Sequence, residues 1–343
     1  MMNKRPKSIT RLQNALSGSS AYLLYVLIAL IAVITAVNPR FFSAENFLAI
    51  LRSGAYSGIF AIGFLFVLLS GGLDISFAAV ATVGQYLVGL VLINMPWVPW
   101  PFVVLLPMLI GILLGCFNAA LIHWLNAPPL IITIAMQSVL YGILQYASNG
   151  TWLYNFPDWF AKFPLILVVS FVNKDGVKYG LSILTVIWLA VAVCAAFILS
   201  KTKVGRRLYA MGGSSEAARR AGIDILRYRL FAYGFLGFTA GLGGLIHTFV
   251  TQTVAPNTLV GNEFNVVAAV VLGGASIFGG SGSVEGTLLG GILIAVITNA
   301  LTIMRVPAYW HQVFIGAILI ASMAITTASE RRARKKDRIR HGE

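Results

Sequence analysis

The feature that most restricts what this chain can fold into is a recurrence of apolar, nearly uncharged runs along almost its whole length. A bilayer core is crossed by about 20 predominantly apolar residues in a helix. Within lipid the backbone must satisfy its own hydrogen bonds, which leaves helices or closed barrels. The runs here lack the strict alternation of a barrel strand. The expected fold is therefore all-α: a polytopic membrane helical bundle of about ten transmembrane helices, some of them discontinuous. The expected spans are 21–37, 55–71, 75–93, 101–123, 129–147, 180–199, 228–251, 264–280, 284–303 and 309–327. Hydrophobic residues make up 58% of the chain and charged residues 10%, against about 25% charged in a soluble domain.

The net charge of +14 does not point to nucleic acid, because of where the charge lies. Lys4, Arg5, Lys7 and Arg11 mark an N-terminal tail (1–20). Seven basic residues from Arg331 to Arg340 mark a C-terminal tail (328–343). Lys201, Lys203, Arg206, Arg207, Arg219, Arg220, Arg227 and Arg229 form a central island. Basic clusters of this kind mark cytoplasmic faces. An even number of spans, with six before the island, puts all three on that side. The permease domain is expected over 21–327, with a cytoplasmic loop at 200–227. The first run is read as an uncleaved span, with no small-residue cleavage site behind it. Cys116 and Cys194 sit inside apolar runs and read as small hydrophobes.

Two stretches interrupt the apolar sequence with glycine. One is Leu69-Ser-Gly-Gly-Leu-Asp-Ile-Ser76; the other is Leu272-Gly-Gly-Ala-Ser-Ile-Phe-Gly-Gly-Ser-Gly-Ser283. Paired breaks point to discontinuous helices beside a transport path and to a possible internal repeat. Gly71, Gly72, Gly273 and Gly274 are the break residues. Asp74, Ser76, Asn118, Glu263 and Asn265 are the candidate polar groups near that path. Asp74 and Glu263 also suit the N-terminal caps of the helices that follow them. Asn118, Gln137, Gln145 and Asn299 suit hydrogen bonds between helices. Glycines at Gly54/Gly58, Gly111/Gly115, Gly237/Gly241 and Gly286/Gly290 stand in the four-residue register of close helix packing. The loop 38–54 reads as interfacial, and the apolar piece 163–172 as a short re-entrant or interfacial helix.

Catalytic signals are missing from the sequence. There is no GxxxxGK[ST] phosphate loop, no HExxH and no GxSxG. Leu69-Ser-Gly-Gly72 matches the signature tetrapeptide of transporter ATPases, but without a phosphate loop it reads as coincidence. His123, His247 and His311 have no metal-ligand spacing. The chain is expected to be no enzyme, and to hold no cofactor or metal.

Three segments carry a family resemblance: Gly71-Gly-Leu-Asp-Ile-Ser76, Met211-Gly-Gly-Ser-Ser-Glu-Ala-Ala-Arg-Arg-Ala-Gly-Ile223, and the stretch from Ala268 to Gly290. In their order and spacing the chain resembles the permease subunits of bacterial ribose-type sugar importers of the ATP-binding-cassette class. The resemblance implies a second permease (an identical copy or a paralogue), a cytoplasmic ATPase that uses ATP and Mg, and an extracytoplasmic sugar-binding protein. It implies a bacterial plasma-membrane location with both termini cytoplasmic. It also implies that Gly213, Glu216, Ala217, Ala218 and Gly222 form the element that couples to the ATPase. The expected solute is a ribose-like pentose or a hexose. A nucleoside or a furanosyl signalling molecule is the nearest alternative. An ion-coupled secondary transporter is the alternative from another class, but it would need paired ionisable groups at mid-membrane.

Overall fold

A computed structural model describes residues 19–173, 176–307, 309–318 and 320. Both basic tails expected from the sequence, and the end of the last expected span, lie outside these residues. The elements run α1 (Ser19–Val37), α2 (Ala44–Leu69), α3 (Phe77–Asn94), α4 (Trp100–Leu125), α5 (Pro129–Ser148), α6 (Asp158–Lys162), β1 (Leu167–Val172) and β2 (Lys178–Ser182). They continue as α7 (Ile183–Lys201), α8 (Lys203–Gly213), α9 (Ser215–Arg220), α10 (Ile225–Thr251), α11 (Asn262–Leu272) and α12 (Val284–Ile303). Among the described residues seven helices are long and apolar enough to cross a membrane. The protein is a polytopic helical membrane bundle. It divides into two units, 1–296 and 297–343. In the second, residues 309–318 are helical.

Within the first unit α10 is the central helix. It runs antiparallel to α2, with Tyr56 against His247 (ring centroids 4.9 Å) at one end and Phe66 against Phe235 (4.2 Å) towards the other. On its other flank it meets α4 through glycine. A Cβ on Gly111 would collide with the Gly237 carbonyl, and one on Gly237 with the Gly111 carbonyl. Gly115 faces the Tyr233 carbonyl and Gly241 the Pro107 carbonyl in the same way. Two small-residue motifs legible separately in the sequence are thus the halves of one seam, packed backbone on backbone. Burial follows from this arrangement. About four-fifths of the α10 window is inside, but only 17% of that of α5. Leu113, Phe117, Ile131 and Ile143 point outward from α4 and α5, as lipid-facing side chains do.

Four sequence expectations need correction. The loop 38–54 is only six residues long, because Ser43 caps α2 by accepting from the Asn46 amide at 3.2 Å. Helix α2 therefore begins at Ala44 and runs for 26 residues. The piece 163–172 is not a helix beyond the 3-10 turn Phe163–Leu165. Val168, Val169, Phe171 and Val172 favour extended backbone, and β1 pairs antiparallel with β2 from Leu167↔Ser182 to Val172↔Lys178. The span 264–280 is no continuous span: α11 has 11 residues, a rise of about 16 Å against a core of about 30 Å. Neither Asp74 nor Glu263 is a helix cap. Ser76 holds the cap position of α3, and Gly261 (φ 89°) holds that of α11.

Candidate functional site: a glycine junction under the helix breaks

Helices α2 and α11 end alike. In α2 the Gly71 amide donates to Leu68 O (2.9 Å) and the Gly72 amide to Val67 O (3.0 Å). In α11 the Gly274 amide donates to Val271 O (2.9 Å) and the Ala275 amide to Val270 O (3.2 Å). This is the paired closure of a helix on a left-handed residue. Gly71 and Gly274 supply that residue at φ 78° and 86°, where a side chain is strained. Each helix is stopped there, and the chain then turns back as α3 and α12.

Both breaks rest on one point of the central island. A Cβ on Gly212 would collide with Leu69 O and with the Gly280 amide; one on Gly279 would lie 2.8 Å from Gly71 Cα and 3.1 Å from Gly212 Cα. The Gly280 amide points to Leu69 O at 3.4 Å. Three glycine backbones, from the first break, the second break and the end of α8, meet without side chains between them. Tyr209, one turn before Gly212, donates its hydroxyl to Gly282 O at 2.8 Å. Burial, with Glu285 nearby, pushes that phenol above its ordinary pKa, so it remains a donor at neutral pH.

The first break is braced by a buried carboxylate. Asp74 Oδ1 accepts from the Ser76 amide (2.7 Å) and the Ser76 hydroxyl (2.6 Å). Asn118 of α4 donates to Ser76 Oγ (2.8 Å) and more weakly to Asp74 Oδ2 (3.4 Å). All three side chains are buried. Three residues read separately from the sequence form one cluster. It fixes the strand of backbone between α2 and α3 to α4.

The island is a series of short capped helices. Thr202 caps α8, Ser214 caps α9 and Asp224 caps α10, each accepting backbone amides of the first turn. The C-terminus of α9 closes on Gly222 (φ 78°), with Gly222 N to Arg219 O and Ile223 N to Ala218 O both at 3.0 Å. The adjacent alanines have opposite surroundings. Ala218 is buried (4% exposed) against the protein itself, whereas Ala217, Glu216 and Gly213 are exposed. Glu216 pairs with Arg220 one turn on, both largely in solvent. Arg207 of α8 hydrogen-bonds the Tyr228 hydroxyl and lies over its ring, 5.2 Å from the centroid, which holds α8 to the start of α10.

Glu263 and Asn265 do not join this junction. Glu263 Oε1 accepts from Gln137 Nε2 of α5 at 2.8 Å. Asn265 bonds only within its own helix, to Asn262 Oδ1 at 3.4 Å. Gly273 packs on the Gly286 backbone of α12. The sequence reading missed Tyr209, Thr82, Gln85 and Tyr141. Thr82, Gln85 and Tyr141 are each a lone polar residue in an apolar run, Tyr209 stands among the basic residues of the island, and only neighbours in space mark any of them. Among the described residues no group of three or more His, Cys, Asp or Glu is placed to hold a metal ion.

Comparison with known proteins matches residues 46–323 to the family profile described as "Branched-chain amino acid transport system / permease component". The chain is 32% identical to the ribose import permease of Haemophilus influenzae, covering 87% of this chain and 90% of that protein. It is 28% identical to the D-allose transport system permease of Escherichia coli, covering 88% and 89%. It is also 28% identical to the autoinducer 2 import system permease of Salmonella choleraesuis, covering 89% and 84%. No solved structure matches the chain.

Proposed function

Because the chain belongs to the branched-chain amino acid transport system permease family, we propose that it is the membrane subunit through which a monosaccharide-like solute enters the cell in an ATP-binding-cassette importer. The chain is a transport permease and not an enzyme. The family description names amino acids, while the relatives that match it over most of their length are named for ribose, allose and autoinducer 2. We favour the sugar-type solute, because these relatives match nearly end to end.

The partners are a cytoplasmic ATPase that binds ATP and Mg, an extracytoplasmic sugar-binding protein and a second permease, in a bacterial plasma membrane with both termini cytoplasmic. The observation that carries the reading is the seat of Gly212 on both helix breaks. It stands three residues before the exposed α9, whose Glu216 and Ala217 present the docking surface. A push on α9 then reaches Gly71 and Gly280 through backbone alone. Transport follows from a partner stabilising one of two helix arrangements over the other. Gly71, Gly72, Asp74, Ser76 and Asn118 stand at the moving point; Gly273 and Gly274 stand at the second break, and Glu263 and Asn265 on the first turn of α11, the helix that leads into it.

The test is uptake of radiolabelled D-ribose, D-allose and autoinducer 2 in cells that make this chain with its co-encoded partners. Uptake that vanishes with an ATPase subunit unable to hydrolyse ATP supports the reading. Uptake by this chain alone, in ATP-free vesicles under a proton or sodium gradient, overturns it.

A further inference from the structure

A second buried polar group lies away from the glycine junction. Gln137 is the ninth of the twenty residues of α5, about 12 Å along it and therefore near mid-depth. Its amide nitrogen donates to Glu263 Oε1 at 2.8 Å. The other oxygen, Glu263 Oε2, is buried without a partner, in a side chain only 4% exposed. Among the described residues the ion pairs are Lys162–Asp158 and Arg220–Glu216, so no cation balances this carboxylate. Tyr141 follows Gln137 by one helical turn. Its hydroxyl is buried beside Thr82, Gln137 and Glu263 and makes no well-formed hydrogen bond to any of them. One turn along α3 from Thr82, the oxygen of fully buried Gln85 faces His247 Nδ1 (3.2 Å) and the Thr248 hydroxyl (3.3 Å). Its amide nitrogen is likewise without a partner.

Each such group costs about 1–3 kcal/mol, and native structures hold few of them. Here an acceptor (Glu263 Oε2) and donors (Tyr141 Oη, Gln85 Nε2) stand on helices α11, α5 and α3. The cluster lacks the opposed charges that a zwitterion needs. A molecule with several neighbouring hydroxyls satisfies both kinds of group, donating to the carboxylate and accepting from phenol and amide.

We propose that Glu263, Tyr141 and Gln85, with Gln137 positioning the carboxylate, form a contact station within the permease for a neutral polyhydroxylated solute. The solute class rests on the importer reading above. The station holds the solute by exchanging its hydroxyls for water, with no covalent step. Buried groups of this kind reject molecules that lack the hydroxyls far more strongly than an apolar lining does.

Tyr141→Phe is the informative variant. It removes an oxygen that makes no well-formed hydrogen bond in the protein, so folding should change little. The measurements are uptake of labelled D-ribose and D-allose by the assembled importer, together with its ATPase rate, membrane abundance and thermal midpoint. Tyr141→Phe and Glu263→Gln are expected to lower uptake about tenfold, the scale of one such hydrogen bond. ATP hydrolysis, abundance and midpoint should be retained. Wild-type uptake that both variants leave unchanged overturns the station alone. So does a fall in uptake that tracks abundance, ATPase rate and midpoint together, the mark of a purely structural role. No uptake of either sugar by the wild type overturns the importer reading, and the station with it.

Discussion

Tyr209 and Gly282 are joined by a hydrogen bond of 2.8 Å, 73 residues apart in sequence, between the end of a polar helix and the loop of the second helix break. Gly212, three residues after Tyr209, touches both breaks. The island is therefore built into the bundle rather than hung beneath it.

Removing the Tyr209 hydroxyl tests that connection. A single hydrogen bond contributes about 1 kcal/mol, so Tyr209→Phe should leave the thermal midpoint close to wild type. Solute moved per ATP hydrolysed is expected to fall severalfold. An unchanged stoichiometry would show that the tie carries no motion.

The two alanines of α9 should respond differently to bulk. Ala217 is exposed and Ala218 buried. Ala217→Trp is expected to keep wild-type abundance and to lose co-purification with the ATPase. Ala218→Trp should lower abundance, since overpacking costs about 1–3 kcal/mol. Abundance on immunoblots and ATPase pull-down together separate the two results.

Glycine substitutions should split in the same way. At Gly111 any side chain meets the Gly237 backbone, whereas a Cβ at Gly142 of α5 meets nothing within 4 Å. Gly111→Val is expected to lower the thermal midpoint in detergent markedly. Gly142→Ala should hold or raise it, since alanine favours the helix over glycine by up to about 1 kcal/mol.

Asp74 gives a graded pair. Asp74→Asn keeps an oxygen to accept from Ser76, while Asp74→Ala leaves the buried Ser76 amide and hydroxyl without it. An unsatisfied buried group costs about 1–3 kcal/mol. The order of stability is expected to be wild type, Asn, then Ala, read from thermal unfolding of the solubilised protein.

The bundle was legible because lipid leaves so few options: apolar length alone marked most helices. The glycine registers at Gly111/Gly115 and Gly237/Gly241 announced close packing, but one-dimensional spacing does not say which helix receives which. The break at 273–283 was visible, yet its apolar flanks masked how short α11 is. Ser43 looked like part of a polar loop because the residues after it are mixed, although a serine before Glu45 and Asn46 is a good helix start. At 163–172 apolarity conceals the run of β-branched residues, so the sequence points to a helix where β1 of a hairpin stands. Asp74, Ser76 and Asn118 were each singled out; their union depends on α4 returning beside the first break. Tyr141 and Gln85 gave no signal, since a single polar residue in an apolar run shows neither its depth nor its neighbours.

Where Gly111 and Gly237 touch, there is no cushion of side chains that could slide or re-rotamerise. Helices α4 and α10 must therefore travel together as a single rod through any cycle of opening. The play in the machine has to come from partners gripped less firmly, and α5, the least enclosed of the long helices, is the natural hinge leaf. It is also the helix that carries Gln137 and Tyr141, so whatever swings it would make and break the contacts of the proposed station.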